Sequence, residues 1–254
     1  MKIKQRIFKR TAIAFFFGLI AVLFFQTALF GQPRTEYRAF WVDTFNTNLN
    51  NHADVVTVVN NNSTDETRRV VADRQPDFPV PLTYLFEPRQ GRSSALNTAI
   101  ARARGRVLAF TDDDVRVQDG WLDAACDTLL GGDGMPGYAG GPVRPIWGAP
   151  PSRWLDLSRG DLWGTIAIQD HGPAAVSYEA ARKVPLGANM AVRAEVFTAV
   201  GGFRADLGRA GGRVLLGQEV PEWLLRVRRA GFGGMYVPGM EVDHHIPASR
   251  LPPR

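Results

Sequence analysis

The chain has 254 residues, 45% of them hydrophobic and 22% charged, a composition typical of a globular protein rather than a disordered one. The net charge of +5 comes from 30 Lys and Arg against 25 Asp and Glu. Five of the basic residues precede residue 11, and the first acidic residue is Glu36, so the remainder is neutral. A nucleic-acid groove needs clustered basic residues on the folded domain, which argues against nucleic acid as a partner. The single cysteine, Cys126, excludes an internal disulfide framework.

A segment of twenty uncharged residues, 11–30, follows the basic head. As a helix rising about 1.5 Å per residue it is long enough to cross a hydrocarbon core of about 30 Å. A cleavable signal peptide would begin in the same way, but the apolar run is long for one and no small-x-small cleavage site follows. We therefore predict an uncleaved signal anchor over residues 1–30. This makes the chain a membrane protein with a single N-terminal pass, and the side that carries the rest of the chain stays open.

Residues 31–54 differ in character from the rest of the chain. They contain one strand-like run, residues 37–45, and seven of the nine asparagines fall within residues 46–62. The run EYRAFWVDTF resembles the first strand of secreted glycosyl-hydrolase-like barrel proteins, but no eightfold strand–helix pattern follows it. We interpret residues 31–54 as a linker or a foreign fragment, and the change in composition near residues 55–60 as the junction of a chimera.

From residue 55 onward, strand patterns alternate with helix patterns. A β-branched run at residues 55–59 leads into a polar loop, and an apolar run at residues 107–110 leads into three consecutive aspartates. A helical pattern that Gly105 ends lies between the two runs. Such alternation predicts a largely parallel sheet covered by helices, and the ligands of these sheets bind beyond the carboxyl ends of the strands. Both polar loops are therefore expected at the ligand edge.

The three aspartates, Asp112, Asp113 and Asp114, repel one another unless they are solvated or neutralised. A hard cation such as Mg²⁺ or Mn²⁺ neutralises such a cluster, binding one or two carboxylates together with phosphate oxygens. A solvated loop that caps a helix is the alternative. The position directly after a buried strand favours the metal.

Seven stretches in consecutive order resemble the inverting family 2 glycosyltransferases, which have the GT-A nucleotide-sugar fold. They are NNNSTDET (60–67), EPRQGRSSALNTAIARARG (87–105), VLAFTDDDV (107–115), GGPVRP (140–145), LGANMAVRAEVFTAVGGF (186–203), GQEVPEWLLRVRRAG (217–231) and YVPGMEVDHHIP (236–247). The resemblance covers about residues 58–250. It implies an α/β GT-A domain over residues 55–250 that moves a sugar from a nucleotide-diphosphate sugar to a hydroxyl of a carbohydrate or lipid-linked acceptor, with inversion.

The opening strand of the family pattern is missing or replaced in this chain. The strand-like run at residues 37–45 is the only candidate to replace it. A parallel crossover needs about a dozen residues or more, and only residues 46–54 separate this run from the next strand. A replacement in the parallel direction is therefore too short.

The resemblance also implies chemical roles for particular residues. Glu219 would be the general base that deprotonates the acceptor hydroxyl. Asp112 and Asp114 would form the D-x-D pair and belong to the site of a Mn²⁺ or Mg²⁺ ion, with Asp114 on the ion and Asp112 also towards the donor ribose. The ion would act as Lewis acid for the leaving group. His244 would complete the metal site, and His245 is the alternative because adjacent strand residues face opposite sides.

The remaining site residues that the resemblance implies form two sets. The donor-side residues are Asn60, Asn62, Asp65, Gly91, Arg92, Asn97, Asp112 and Asp113. The acceptor-side residues are Asn189 and Glu222. Residue 60 is asparagine where the family carries an acidic residue that contacts the nucleotide base, so this departure bears on donor specificity.

Three alternatives stay open at this point. Glu219 and Glu222 also suit the N-terminus of a helix, where a carboxylate interacts favourably with the helix dipole. The protein could be an inactive, membrane-anchored remnant or a chimeric product of a glycosyltransferase. It could also be a metal-dependent nucleotidyltransferase, which would use the aspartate loop but need neither Glu219 nor the late histidines.

Overall fold

The computed structural model describes residues 55–78, 80–112, 114–132, 134–151, 163–207, 218–248 and 251, together with the backbone of residues 37–44. Its strands are, in chain order, β1 (Tyr37–Thr44), β2 (Val55–Asn61), β3 (Leu82–Phe86), β4 (Val107–Asp112), β5 (Val115–Val117), β6 (Tyr138–Gly140), β7 (Val143–Trp147), β8 (Val176–Ser177), β9 (Asn189–Arg193), β10 (Gly234–Tyr236) and β11 (Val242–Ile246). Its α-helices are α1 (Thr67–Arg74), α2 (Arg92–Ile100), α3 (Trp121–Leu130), α4 (Tyr178–Ala181), α5 (Ala194–Val200) and α6 (Glu219–Arg229).

Eight of the strands form the main sheet, in the spatial order β3-β2-β1-β4-β9-β6-β10-β8. Strands β2, β3, β4, β6 and β10 share one direction, whereas β1, β8 and β9 run in the opposite one. The sheet is therefore mixed, whereas the sequence predicts a mostly parallel one, because β1 and β9 are each inserted between two strands of opposite direction. The carboxyl ends of β2, β4, β6 and β10 lie along one side, which we call the ligand edge.

A second, three-stranded sheet is attached at this side in the order β5-β11-β7. Strand β11 runs antiparallel to β5 and parallel to β7. This pairing places His244 opposite Val115, immediately after the aspartate loop that follows β4. Residues far apart in the sequence thus meet beside the ligand edge.

Strand β1 occupies the place of the strand that the sequence pattern lacks. It lies between β2 and β4 and is antiparallel to both, with Trp41 opposite Thr57 on one side and Phe110 on the other. The short connection to β2 explains this direction, since an antiparallel neighbour needs only a loop whereas a parallel one needs a full crossover. The stretch interpreted as a linker or foreign fragment therefore contains a strand of the main sheet.

The prediction of an N-terminal membrane helix is corrected by the structure. Residues 11–30 lie outside the described residues, and among those that are described no helix is long and apolar enough to cross a bilayer. The described fold is α/β, and neither the fold class with a transmembrane helix nor the single-pass localisation is supported. That prediction rested on the length and hydropathy of an uncharged run and on the lack of a small-x-small cleavage site after it.

Alternate residues of β4 divide the core between the two faces of the main sheet, as the two-residue period of a strand requires. Leu108 and Phe110 pack on the face covered by α2, α5 and α6, where Trp223 is fully buried. Val107 and Ala109 pack on the opposite face, against α3 and the second sheet. The buried strand inferred from the apolar run at residues 107–110 is thus confirmed, with helices on both of its faces.

Replacing Trp223 by alanine is expected to lower the free energy of unfolding by about 3–5 kcal/mol, because the indole is fully buried and stacks on Phe197 with ring centroids 4.8 Å apart. Leu225 on the same helix is 48% exposed, so Leu225→Ala should change that free energy by only about 0.5 kcal/mol. Urea unfolding followed by circular dichroism measures both. Equal losses in the two variants would contradict the packing of α6 on the sheet.

Candidate functional site

Three chain segments meet at the ligand edge. Strand β4 ends there at Asp112, and helices α2 and α6 begin there at Arg92 and Glu219. Arg92 forms ion pairs with both carboxylates. The carboxyl end of one strand and the starts of two helices therefore meet at a single guanidinium group.

The Arg92 guanidinium is held on two sides. Nη2 donates to Oδ1 of Asp112 at 3.0 Å and to the Gly187 carbonyl oxygen at 2.9 Å, and Nη1 lies 3.5 Å from Oε1 of Glu219. Burial lowers the pKa of Arg92, but Asp112 and Glu219 raise it by more, so it lies above its ordinary value. A Cβ on Gly187 would lie 2.7 Å from Nη1, so a larger residue here would require the Arg92 side chain to shift.

Glu219 is nearly enclosed, with its side chain 7% exposed. Its Oε2 atom is buried and has no hydrogen-bond partner among the described residues. Helix capping therefore does not account for this oxygen, although the position at the start of α6 favours a negative charge. A buried acceptor without a partner carries an appreciable free-energy cost, and such atoms in proteins commonly meet a ligand or water.

The loop before α2 is fixed by Asn61, a residue that the sequence analysis did not single out. The fully buried Asn61 amide donates to the carbonyl oxygens of Glu87 (3.1 Å) and Arg89 (2.7 Å) and accepts from the Gly91 backbone N–H (2.7 Å). Gly91 has φ 129°, a conformation that favours glycine. Asn61 thus sets the position of the turn from which Arg92 enters the site. Its place in a run of three asparagines was the only available signal.

The carboxylate of Glu87 stabilises the same loop from within. It accepts hydrogen bonds from the Arg89 side chain at 2.8 and 2.9 Å, from the Arg89 backbone N–H at 2.8 Å, and from the Thr98 hydroxyl. These bonds, those of the Arg89 side chain above all, lower the pKa of Glu87 to about 2. Its side chain is only 5% exposed, so the charged carboxylate depends on the hydrogen bonds that the folded loop provides.

The predicted donor-side residues of the β2 loop have defined contacts. Asn60 donates to the Tyr84 hydroxyl (3.0 Å) and accepts from the Ser63 backbone N–H (2.7 Å). Asn62 is exposed at the turn, with φ 59°, and Asp65 accepts from the backbone N–H of Thr67 at 2.9 Å. Asn60 is the last residue but one of β2, and Asn62 and Asp65 lie in the loop that follows this strand at the ligand edge.

Three other predicted residues are engaged within the protein. Asn97 exchanges two hydrogen bonds with the backbone of Phe203, at 2.7 and 2.8 Å. Asn189 is completely buried; it accepts from Trp121 Nε1 and donates to the carbonyl oxygens of Pro142 and Met240. Glu222 pairs with Arg226 one turn along α6, at 2.9 and 3.0 Å. These contacts explain the three residues by the fold, and a ligand role for them stays a prediction.

A second ionisable pair lies next to the first. Nε2 of His244 is 3.5 Å from Oδ2 of Asp114, and His244 is 2% exposed. Alternation along β11 buries His244 and leaves its neighbour His245 half-buried on the other side, where the His245 backbone N–H donates to the Asp114 carbonyl oxygen. Of the two histidines, His244 is the one whose side chain approaches the aspartate loop.

This pair can be tested as a cation site. Within the described residues, which leave out Asp113, no group of three or more His, Cys, Asp or Glu side chains is arranged for a metal ion. Asp112 instead bonds to Arg92, so two of the three predicted ligands, Asp114 and His244, lie together. One or two protein ligands suffice for a Mg²⁺ ion whose remaining ligands are water and substrate phosphates. Two protein ligands are compatible with such an ion, and metal binding by Asp114 and His244 stays a prediction.

Comparison with known proteins identifies relatives over most of the chain. Residues 43–133 match the family model "Glycosyl transferase family 2". The Succinoglycan biosynthesis protein ExoM of Rhizobium meliloti is 28% identical over 198 residues, which is 77% of this chain and 58% of that protein. The Glucosyl-dolichyl phosphate glucuronosyltransferase of Haloferax volcanii is 23% identical over 193 residues, which is 76% of this chain and 59% of that protein. The chain thus spans less than two thirds of the length of these curated relatives.

A solved structure shares the fold. The crystal structure of GalNAc-T7 with UDP, GalNAc and Mn²⁺ superposes with a TM-score of 0.53 at 15% identity, covering 77% of this chain and 38% of that one. This supports the predicted α/β, GT-A-like architecture. The resemblance of residues 1–55 to a secreted barrel protein, and with it the chimera, is not supported, because the family model already begins at residue 43, inside β1.

The Glu87 carboxylate should make stability depend on pH in the acid range. Its pKa is about 2 in the folded protein against an ordinary 4.5, so its contribution is present in full above pH 4.5 and is lost as the pH falls towards 2. Because the Arg89 side chain that causes most of this shift is 74% exposed and solvent screens it, the contribution at neutral pH is about 1 kcal/mol. Glu87→Gln is expected to lose that stability at pH 7 and to show a flatter decline between pH 4.5 and 2 in urea unfolding. Parallel pH profiles for the variant and the original protein would refute the assignment.

Proposed function

We propose, because the chain carries a glycosyltransferase family 2 domain over residues 43–133, that it transfers a sugar from a nucleotide-diphosphate sugar to an acceptor hydroxyl with inversion. The observation that carries this proposal is the Glu219 carboxylate. It lies at the ligand edge, nearly buried, beside the Arg92 guanidinium, and its Oε2 atom has no hydrogen-bond partner among the described residues. An oxygen so placed can accept the proton of a hydroxyl that enters the site.

The reaction follows from the arrangement of charges. Glu219 takes the proton from the acceptor hydroxyl, and the oxygen so activated attacks the anomeric carbon from the side opposite to the diphosphate. Inversion follows from this single displacement. Arg92 lies between Glu219 and Asp112, where its positive charge can also stabilise the departing diphosphate. Asp112, at the end of β4, is assigned to the donor ribose.

Asp114 and His244 are the residues that would hold a divalent cation, Mn²⁺ or Mg²⁺. When bound, such a cation stabilises the negative charge of the leaving diphosphate as a Lewis acid. The buried position of His244, opposite Val115 in the second sheet, fixes its imidazole at the aspartate loop. Asn60 in β2 and Asn62 and Asp65 in the loop after it are assigned to the nucleoside.

The acceptor is assigned to the carbohydrate or lipid-linked class. The names of the two relatives refer to succinoglycan biosynthesis and to a glucuronosyltransferase of a glucosyl-dolichyl phosphate, and both concern saccharides. No specific observation in the described residues favours a nucleotidyltransferase or an inactive remnant. Neither alternative needs Glu219 and His244 at the ligand edge, where both residues lie.

Donor binding is tested by thermal unfolding of the full chain with UDP, GDP, CDP or ADP, each with Mn²⁺. One of these ligands at about 100 times its Kd should stabilise the protein by about 2.7 kcal/mol, which raises Tm by several degrees. Asp114→Ala should lose the part of the shift that needs Mn²⁺. The assignment of this site is wrong if no nucleoside diphosphate raises Tm. It is also wrong if Mn²⁺ increases the Tm shift of Asp114→Ala by as much as it increases that of the original protein.

The role of Glu219 is tested separately by transfer. Glu219→Gln is expected to retain the Tm shift that nucleoside diphosphates cause. Its rate of nucleoside diphosphate release, measured with a panel of nucleotide sugars and saccharide acceptors, should fall at least about 100-fold, a typical contribution of a general base. Glu195→Gln serves as control, because Glu195 pairs with Arg193 at the opposite end of β9. Unchanged turnover in Glu219→Gln would remove the base from the mechanism.

A further inference from the structure

Arg92 neutralises two carboxylates that the proposed reaction uses for different purposes. It bonds to Asp112 on the donor side and lies beside Glu219, the general base. The two carboxylates belong to β4 and α6, which are far apart in the sequence, and within the described residues their ion pairs at the site converge on this guanidinium. A ligand that interacts with the positive charge of Arg92 therefore affects the ion pairs of both carboxylates.

The two contacts differ in quality. The Asp112 contact is a hydrogen bond of 3.0 Å, whereas the nitrogen–oxygen distance to Glu219 is 3.5 Å, longer than the roughly 2.7–2.9 Å of a charge-assisted hydrogen bond. The hydrogen bonds that Arg92 makes to described residues all use Nη2. Nη1, whose ion pair is the longer one to Glu219, can therefore be taken by a stronger anionic acceptor.

The guanidinium is also confined. Its side chain is 17% exposed, the Gly187 carbonyl accepts from it, and a Cβ at Gly187 would already collide with both Nη atoms. Arg92 starts α2 immediately after Gly91, which Asn61 holds. A ligand anion would therefore come to Arg92, rather than Arg92 swinging out to it.

From this arrangement we infer that Arg92 is a positioning residue shared by donor and base: the diphosphate of the donor competes with Glu219 for the guanidinium. The inference rests on the proposed function. Donor binding would weaken the hold of Arg92 on Glu219, and the loss of the Glu219 charge would strengthen the hold of Arg92 on the diphosphate. Linkage requires the two effects to be equal in free energy.

A double-mutant cycle on nucleoside diphosphate affinity tests this coupling without any acceptor. Kd for UDP, GDP, CDP and ADP with Mn²⁺ is measured by calorimetry for the original protein, Glu219→Gln, Arg92→Gln and the double variant. Glu219→Gln is expected to bind the preferred nucleotide about five- to tenfold more tightly, within the usual range of couplings between sites. In the Arg92→Gln background the same change should alter Kd less than about twofold, because the shared cation is gone.

Other outcomes have distinct meanings. Equal tightening by Glu219→Gln in both backgrounds would show simple repulsion between Glu219 and the diphosphate and overturn the inference, as would an unchanged or weaker Kd. Binding of no nucleoside diphosphate by any variant would instead refute the proposed function itself. Where Arg92→Gln binds too weakly to titrate, Arg92→Lys replaces it, because lysine keeps the positive charge but lacks the planar guanidinium that pairs with both carboxylates. The effect of Glu219→Gln on Kd should then be smaller than in the original protein.

Two controls separate the coupling from general effects. Glu195→Gln removes a glutamate that is also paired with an arginine, Arg193, but lies at the other end of β9 and should leave Kd unchanged. The Tm of each variant verifies that it is folded before the titration. A Kd shift in Glu195→Gln equal to that in Glu219→Gln would assign the effect to net charge and overturn the inference.

Discussion

A guanidinium taken out of water must be paired, and the arrangement around the ligand edge depends on that constraint. The free-energy cost of an unpaired buried charge is large, and Arg92 avoids it through Asp112, Glu219 and the Gly187 carbonyl. These partners come from a strand end, a helix start and a loop. Their contacts with Arg92 fix the relative positions of β4, α6 and the segment before β9. The proposed chemistry takes place at this point.

The strand ends and the start of α6 could be predicted from the sequence because their signals are local. Apolar runs that stop at polar residues gave the carboxyl ends of β2 and β4, and the acidic residues followed by an apolar stripe gave the start of α6 at Glu219. The side of the sheet on which they meet then follows from strand direction alone. The site residues in these segments are accordingly placed together by the structure.

The remaining features depend on contacts between distant residues, which no local pattern encodes. Nothing around Asn189 shows that its amide is used by Trp121, Pro142 and Met240, and nothing around Asn61 shows that it holds the loop before Arg92. At residues 11–30, by contrast, a local pattern led to a wrong prediction. The length and hydropathy of this run predicted a membrane pass that the described helices do not support. Motif positions therefore predict which segments meet at one edge of the sheet better than the contacts that each side chain makes there.

The position of β1 has a practical consequence for expressing the protein in fragments. Both long sides of this strand are hydrogen-bonded, one to β2 and one to β4. A fragment that begins at Val55, where the clear α/β pattern starts, would divide the main sheet into two pieces, each with a newly unpaired inner edge. Exposed edges of this kind recruit other strands. Such a fragment would be prone to aggregate, and a boundary chosen from sequence motifs would remove the strand that lies between β2 and β4.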